Sequence, residues 1–302
     1  MTAPAAMAGS TPAPARFTAR EDGGLDAPMR AAWARDGFLI LERFVASADC
    51  DALKARAAEL VDAFDAAAVR TVFSATTQAH ARDAYFRDSG GAIRFFFEED
   101  AFAADGRLAV PKALALNKIG HALHDLDPVF DRVSRQERFA GLAASLGLAT
   151  PLLLQSMYIF KQPHIGGEVD WHQDATFLYT RPSSVVGFWL ALDDADIDNG
   201  CLWAIPGAHK GSLRRRFRYC DGELVMETVD AAQFPATPPV ALEVPRGSVV
   251  VLHGQLPHAS GANRSSRPRH AYSLHLIDGK AAYAADNWLQ RPGLPLRGFA
   301  KT

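Results

Sequence analysis

Cysteine is scarce in this chain: only Cys50, Cys201 and Cys220 occur among its 302 residues. Three cysteines so far apart cannot build a disulfide framework or a zinc knuckle. We therefore expect a reducing, cytoplasmic location. Cys201 follows a turn and is expected to be a buried, unreactive thiol.

Long apolar runs and a strong charge of one sign are also missing. No run approaches the roughly 18 residues that span a bilayer. The formal net charge is -2, which does not favour nucleic acid or an anionic membrane. Hydrophobic residues make up 48% and charged residues 22%, as in ordinary globular enzymes. We expect a small-molecule substrate, no nucleic acid and no membrane, and nothing here implies a protein partner.

The order of the patterns predicts the domain organisation. Residues 1–27 are rich in Ala, Pro and Gly and predict a disordered tail. Residues 28–302 predict a single domain, with helical elements mainly in 28–150 and short β-runs mainly in 151–280. This order favours a mainly β fold, a barrel or sandwich with flanking helices outside.

Several elements can be predicted individually. A short helix should end at Asp36–Gly37, because glycine tolerates positive φ, and a strand should follow over Phe38–Phe44. Ser47 is a plausible N-cap of the next helix. Three further predictions are an irregular loop over residues 70–92, two strands joined around Asp105–Gly106, and a helical region from Pro111 onward that includes Lys118.

The segment "DWHQDATFLYT" (Asp170–Thr180) holds His172 and Asp174 two residues apart. On a strand, residues i and i+2 point to the same face, so both side chains can bind one metal while Gln173 points away. An HxD pattern alone is a weak signal, and a third ligand must come from elsewhere.

The third ligand should be a downstream histidine. His258 is favoured because it follows an apolar strand and precedes a turn rich in Gly, Ser and Asn. His253 lies in the same run and competes with it, whereas His209, His270 and His275 are less favoured. Two histidines and one carboxylate form the facial triad of non-haem Fe(II) oxygenases, which leaves room for a bidentate 2-oxo acid and O₂.

A co-substrate such as 2-oxoglutarate carries a second carboxylate that needs a cation. Arg269 lies eleven residues after His258, on the strand that returns from the turn. Its guanidinium can bind a carboxylate through two parallel hydrogen bonds. Ser260 can add a hydroxyl. His275 and Arg269 are an even number of residues apart, so their side chains should point to the same face of the strand. His275 should therefore face the interior of the barrel.

The chain resembles the phytanoyl-CoA dioxygenase family of Fe(II)/2-oxoglutarate oxygenases. The matching segments include "DGFLILERF", "QSMYIFKQPHIGGEVDWHQDATFLYT", "NGCLWAIPGAHKGS" and "HGQLPHASGANRSSRPRHAYSLHL", within about Asp36 to Gln290. The resemblance implies a double-stranded β-helix (jelly roll) with flanking helices. It assigns iron to His172, Asp174 and His258, and the distal carboxylate of 2-oxoglutarate to Arg269 and Ser260. It also places Lys118, Met157 and Trp189 in the co-substrate pocket.

Other residues have two interpretations. Trp171, Phe177 and Tyr179 form either a substrate wall or ordinary core packing. The arginine run Arg214–Arg218 is either a solvated loop or a patch for an anionic substrate. His121 and His124 are expected to be hydrogen-bonded helix residues and not a second metal site.

The sequence therefore predicts an Fe(II)- and 2-oxoglutarate-dependent dioxygenase that uses O₂ to hydroxylate a small or medium hydrophobic substrate. Asp174 favours hydroxylation over halogenation, since halogenases replace this carboxylate with a small residue. Two alternatives stay open: a cupin-like metal-dependent oxygenase or isomerase that does not use 2-oxoglutarate, and a non-catalytic sensor of iron and 2-oxoglutarate. A zinc hydrolase is a weaker third.

Overall fold

The structure is a computed structural model that describes residues 13–67, 69, 71–73 and 83–300. The helices are α1 (Ala27–Asp36), α2 (Ser47–Ala63), α3 (Ala84–Arg87), α4 (Lys112–Ala115), α5 (Leu123–Leu126), α6 (Pro128–Ser134) and α7 (Glu137–Ser145). The strands are β1 (Arg16–Thr18), β2 (Phe38–Glu42), β3 (Ile93–Phe97), β4 (Leu116–His121), β5 (Pro151–Ile159), β6 (Val169–His172), β7 (Thr180–Arg181), β8 (Val186–Ala191), β9 (Leu202–Ala204), β10 (Arg215–Cys220), β11 (Glu223–Thr228), β12 (Val240–Leu242), β13 (Val249–His253), β14 (His258–Ser260), β15 (Ala271–Asp278) and β16 (Ala282–Tyr283).

Two sheets form the centre of the molecule. The larger has the strand order β1-β2-β13-β8-β15-β5-β4-β3, and the smaller has the order β12-β9-β14-β6. One buried apolar cluster contains side chains from both sheets, so the two sheets pack face to face. The prediction of a mainly β protein with flanking helices is confirmed.

The central strands of the larger sheet are buried on both faces. Phe38 and Ile40 of β2 contact the smaller sheet, while the alternating Leu39 and Leu41 belong to a second cluster shared with α1, α2, α6 and α7. This explains why β2 reads as a continuous apolar run and not as a strict alternation. Burying one such side chain stabilises the fold by about 1.5–3 kcal/mol.

The predictions near α1 and α2 are nearly correct. The Asp26 carboxylate accepts from the Met29 N–H at 2.9 Å, and Gly37 ends α1 with φ 78°. Strand β2 follows as predicted but ends at Glu42. Ser47 is the first residue of α2, and the N-cap is Ala46, which has no side-chain acceptor.

Two predictions in the first half are wrong. The helical region from Pro111 is interrupted by strand β4, because residues 116–121 fill the gap between β3 and β5. Lys118 therefore lies on a strand, and tertiary pairing overrides the helical spacing. The second strand after Asp105–Gly106 is also absent, since that segment contributes one isolated bridge, Phe102 to Leu108.

Regular structure begins earlier in the chain than the sequence predicts. β1 pairs in parallel with β2, with Arg16 opposite Ile40, and Leu25 is buried in the apolar cluster under the helices. Residues 13–27 thus differ from the predicted disordered tail. Residues 1–12 lie outside the described part, as do residues 70 and 74–82 of the loop predicted over 70–92, in which residues 84–91 form α3 and a short 3₁₀ turn.

A buried carboxylate attaches the C-terminal segment to the body of the protein. The Asp125 side chain is 0% exposed and accepts from Arg135 at 2.6 Å and from Arg297 at 2.8 Å. It also pairs with Arg291. Because Arg291 and Arg297 lie beyond the last strand, this cluster attaches the C-terminal segment to α5.

The three cysteines are free, and Cys50 and Cys201 are buried. The predicted burial of Cys201 is confirmed, and burial raises the pKa of its thiol to about 12. Among the described residues, no helix combines the length and the apolar composition that crossing a lipid bilayer requires.

Candidate metal centre

Two strands of the smaller sheet bring three metal-capable side chains together. His172 is the last residue of β6 and lies in register with His258, the first residue of β14. Asp174 follows β6 in a short 3₁₀ turn, so the HxD pair marks the end of a strand and not its interior. His258 Nε2 lies 3.6 Å from Asp174 Oδ1, and His172 Nε2 lies 3.8 Å from the same oxygen.

The three ligand atoms all lie within 4.8 Å of one another, and no other such group of three or more occurs among the described residues. His253 lies elsewhere, with its ring centroid 5.8 Å from that of Trp33 and 5.1 Å from that of His209. The structure therefore assembles His172, Asp174 and His258, and it separates the competing His253 from them.

Hydrogen bonds on the far side of each imidazole fix its orientation. His172 Nδ1 lies 2.8 Å from the Asp170 carbonyl, and His258 Nδ1 lies 3.0 Å from the Leu256 carbonyl. Because a carbonyl only accepts, each Nδ1 carries the proton and each Nε2 presents its lone pair to the metal position.

Gln173, between two of the ligands, points away as predicted. Its amide donates to the Gln255 carbonyl at 2.8 Å and accepts from the Arg214 N–H at 2.9 Å. This side chain joins the ligand segment to the start of β10 and to the turn before β14.

The second oxygen of Asp174 faces a residue that the sequence did not associate with it. His275 Nε2 on β15 lies 3.3 Å from Asp174 Oδ2, and both side chains are buried. Gly187 on β8 makes the room, since a Cβ there would lie 3.0 Å from Asp174 Oδ2 and 3.5 Å from the His275 ring. The inward orientation of His275 is confirmed, and its contact with Asp174 leaves Oδ1 facing the two ligand histidines.

The electrostatics suit a divalent cation. Burial, together with the neighbouring His258, lowers the pKa of His172 to about 4, so its imidazole is neutral near pH 7. Burial alone would raise the pKa of Asp174, but the adjacent His275 and His258 lower it overall. A neutral imidazole and an ionised carboxylate are the forms that bind metal.

A second part of the same cavity contains an unpaired cation. Arg269 is 1% exposed, and its Nε and Nη1 atoms have no hydrogen-bond partner among the described residues. Its guanidinium carbon lies 5.1 Å from the centroid of the Trp189 ring. Burial lowers the pKa of Arg269 to about 10, which leaves it charged at neutral pH. A buried guanidinium with free donors fits a carboxylate ligand.

Lys161 contacts Ser260, the other residue expected to bind the distal carboxylate. The sequence analysis did not identify Lys161. Its buried ammonium donates to Ser260 Oγ at 2.9 Å, to the Gly167 carbonyl at 2.7 Å and to the Gly261 carbonyl at 2.8 Å. These bonds use all three of its donors, so the Ser260 hydroxyl accepts from Lys161 and keeps its own proton for another acceptor. Lys161 has a left-handed φ of 37°, which is unusual outside glycine and not readable from "IFKQPH".

Lys118 lies on the wall of the cavity. Burial lowers its pKa to about 7, although the nearby Glu98 carboxylate opposes that change. Burial also raises the pKa of Glu98, whose Oε2 accepts from Asn117 at 2.9 Å. Lys118 Nζ lies 3.3 Å from the centroid of the Phe73 ring.

All of these groups border one cavity of about 820 Å³. Its lining includes the three ligand residues and most of the other residues singled out from the sequence: Lys118, Met157, Trp171, Phe177, Trp189, Ser260 and Arg269. Tyr179 is not among the described residues that line it. The Tyr179 ring instead packs against Arg216, whose guanidinium carbon lies 4.1 Å from the ring centroid.

Strand β10 carries the arginine run, and most of the run forms ion pairs. Arg214 pairs with Asp230, Arg216 with Asp286 at 2.7 Å, and Arg218 with Glu227 at 2.6 Å. The run is therefore a strand and not a loop. Arg215 is exposed and lies at the cavity.

The helical placement of one histidine is also wrong. His121 ends strand β4, where its Nδ1 lies 2.7 Å from Ser89 Oγ. His124 lies in α5 as predicted and contacts Ser156 and Asp125.

Comparison with known proteins identifies relatives along most of the chain. The model of the family described as phytanoyl-CoA dioxygenase (PhyH) matches residues 33–271. A protein named phytanoyl-CoA dioxygenase from Arabidopsis thaliana is 46% identical over 260 residues, covering 86% of this chain and 91% of its own. Phytanoyl-CoA dioxygenase domain-containing protein 1 from Bos taurus is 45% identical over 275 residues, covering 86% and 93%.

Solved structures share the fold. AviO1 from Streptomyces viridochromogenes is 26% identical, with a TM-score of 0.60 over 85% of this chain and 97% of its own. EctD from S. alaskensis, solved with 2-oxoglutarate and 5-hydroxyectoine, is 19% identical, with a TM-score of 0.61 over 95% and 90%. With the family model spanning both ligand strands and relatives above 40% identity, the chain belongs to the phytanoyl-CoA dioxygenase family.

Proposed function

We propose that this protein is an Fe(II)- and 2-oxoglutarate-dependent dioxygenase that hydroxylates a small or medium hydrophobic organic substrate and releases succinate and CO₂. The observation that carries the proposal is the presence, in one cavity, of the His172, Asp174 and His258 group and of a buried Arg269 with unpaired donors. Structural relatives solved with iron or 2-oxoglutarate support it, including the epimerase SnoN with Fe³⁺ and alpha ketoglutarate.

In this proposal, His172 Nε2, Asp174 Oδ1 and His258 Nε2 hold Fe(II). When bound, iron and 2-oxoglutarate supply the oxidation: 2-oxoglutarate is decarboxylated, and one oxygen atom of O₂ is inserted into a substrate C–H bond. Asp174 is retained as a ligand, which favours hydroxylation over halogenation.

The protein's own residues bind and orient the reactants. The Arg269 guanidinium and the Ser260 hydroxyl donate to the distal carboxylate of 2-oxoglutarate, and Lys161 keeps the Ser260 proton directed at that carboxylate. Met157 and Trp189 shield this end of the cavity from water, which strengthens the charge-assisted hydrogen bonds inside it. Trp171 and Phe177 border the position of the substrate.

The finer structural predictions belong to the same proposal. The two facing sheets form the jelly-roll core, a double-stranded β-helix, mainly within residues 151–280. Residues 28–302 form a single oxygenase domain, to which β1 and Leu25 also contribute. Three free cysteines and the absence of a disulfide among the described residues support a cytoplasmic location.

Arg269 separates this function from one alternative, and succinate formation separates it from the other. A cupin-like oxygenase or isomerase that does not use a 2-oxo acid has no need for a fully buried guanidinium with free donors. A non-catalytic sensor would bind iron and 2-oxoglutarate but would not form succinate.

The test measures succinate formation and metal binding separately. Wild-type protein with Fe(II), 2-oxoglutarate, O₂ and a metabolite extract should form succinate and a product heavier by one oxygen. His258→Ala should abolish both metal binding and turnover, whereas the matched variant His253→Ala should retain both. Arg269→Met should keep Fe(II) binding but lose 2-oxoglutarate affinity, and Arg267→Met, at an exposed pair with Asp196, should change neither.

Two outcomes would overturn the proposal. The first is succinate formation that survives His258→Ala. The second is unchanged 2-oxoglutarate affinity in Arg269→Met.

A further inference from the structure

The cavity continues from the metal centre into a group of aromatic side chains, here called the aromatic compartment: Phe86, Phe177, Phe217 and Trp288. The Phe177 ring centroid lies 6.1 Å from that of His172 and 5.8 Å from that of Phe217. Trp288 follows, 6.3 Å from Phe217 and stacked on Phe86 at 4.5 Å. All four residues line the cavity, so an apolar path leads away from a metal ligand.

This compartment contains an unsatisfied polar atom. Trp288 is 3% exposed, and its indole Nε1–H has no hydrogen-bond partner among the described residues. Buried donors in native proteins are nearly always paired, because leaving one unpaired forfeits its solvation. A ligand with an acceptor oxygen or nitrogen at this depth would satisfy it.

Strand β10 adds a cation on the same wall. Side chains alternate along a strand, so Arg215 and Phe217 share one face, and both line the cavity. Opposite them on β11 lie Thr228 and Met226. Arg215 is exposed and forms no ion pair within the described part of the chain.

The opposite face of β10 is already neutralised. Arg216 and Arg218 alternate with Arg215, and each pairs with an acidic side chain. Arg214 precedes β10 and also lines the cavity, but it pairs with Asp230. The charge at the cavity end of β10 therefore comes from Arg215. Near the metal the charge is mixed, because Asp170 and Lys118 both line the cavity.

We infer that the primary substrate is an amphipathic acid that carries one anionic group. This inference rests on the proposed function. Its apolar body lies among Phe177, Phe217 and Trp288, an acceptor on that body takes the Trp288 Nε1–H, and its one anionic group pairs with Arg215. The C–H bond that reacts belongs to the part of the body beside His172. A substrate carrying several phosphates would exceed the one unpaired cation that the described residues place on this wall.

The test uses the full chain loaded with Fe(II) and 2-oxoglutarate under anaerobic conditions. The probe is 6-methoxy-2-naphthylacetate, which carries one carboxylate and one remote acceptor oxygen. Equilibrium dialysis compares it with its uncharged primary amide, with the 6-methyl analogue that lacks the acceptor, and with its coenzyme A thioester.

The acid should bind about fivefold more tightly than the amide, as expected for a partly solvated ion pair. Arg215→Gln should remove that difference, and the matched variant Arg218→Gln, on the opposite face of the same strand, should retain it. Trp288→Phe should weaken binding of the methoxy probe but leave the 6-methyl analogue unchanged.

The inference is overturned if the acid and the amide bind equally to the wild type, if neither binds, if Arg218→Gln acts like Arg215→Gln, or if the thioester binds more tightly than the acid. Because these are binding measurements, they are separate from the test of the proposed function. Succinate formation without an Arg215-dependent preference would reject only the substrate class.

Discussion

Replacing His275 with alanine should weaken Fe(II) or Co(II) binding although His275 is not placed as a ligand. His275 is 6% exposed, and its Nε2 lies 3.3 Å from Asp174 Oδ2. A hydrogen bond to a charged group contributes about 1.5–3 kcal/mol, which corresponds to roughly 10- to 150-fold in affinity. The contact is long, and Asp174 Oδ2 has no hydrogen bond of normal geometry among the described residues, so we expect the lower end of this range, about 10-fold.

The assay is an anaerobic Co(II) titration followed by visible absorbance, which reports both affinity and coordination geometry. His275→Gln, which keeps a donor, should recover most of the affinity. Gly187→Ala should act like His275→Ala, because its new Cβ would lie 3.0 Å from Asp174 Oδ2. The exposed His164 provides the control, His164→Ala, with no expected change.

A change of less than about twofold in the Co(II) dissociation constant of folded His275→Ala would refute this reasoning, since even a weak buried bond exceeds that value. A Co(II) spectrum that loses one nitrogen ligand would also refute it, because His275 would then bind the metal directly.

Three further predictions concern the co-substrate, the C-terminal segment and pH. Lys161→Met should weaken 2-oxoglutarate binding about 10-fold in calorimetry, because Ser260 loses the donor that orients it, and Ser260→Ala should then add little. Asp125→Asn should lower the free energy of unfolding in urea by about 3–5 kcal/mol, since Arg291 would keep a buried, unpaired charge while Arg135 would stay paired with Asp131, and Asp105→Asn on an exposed turn should cost less than about 0.5 kcal/mol. Burial lowers the pKa of His270 to about 4 from 6.5, so the unfolded chain binds more protons between those values and stability should fall as the pH drops from 6.5 to 4. His270→Gln should remove up to about 3 kcal/mol of that loss, and unchanged acid sensitivity in urea curves at pH 7 and pH 4.5 would contradict the assignment.

The sequence predicts well which side chains come together, because a short motif and strand geometry restrict them. HxD at strand spacing, a histidine just past an apolar strand and an arginine on the strand that returns from the next turn are local signals, and His172, Asp174, His258 and Arg269 all line one cavity. The separation of His253 from the site needed the structure, because both downstream histidines follow the same apolar run.

Residues that act through tertiary contacts could not be predicted in the same way. Lys118 sits in a helix-like pattern, yet β3 and β5 pair with its segment on both sides. The role of Lys161 depends on a left-handed backbone and on acceptors about a hundred positions away along the chain. The alternation of side chains along the strand predicts that His275 faces the interior. Its contact with Asp174 depends on the register that pairs His275 of β15 with Gly187 of β8, which the sequence does not show.

The register of β6 against β14 has a consequence for the metal-free protein. β6 is the outermost strand of the smaller sheet, so its backbone is bonded on one side only, and it carries His172 at its end. A cation bound by both His172 and His258 would link β6 to β14 and stabilise the pairing of these two strands. Chelation should therefore speed amide hydrogen exchange first in residues 169–172, while the doubly covered strands of the larger sheet stay protected.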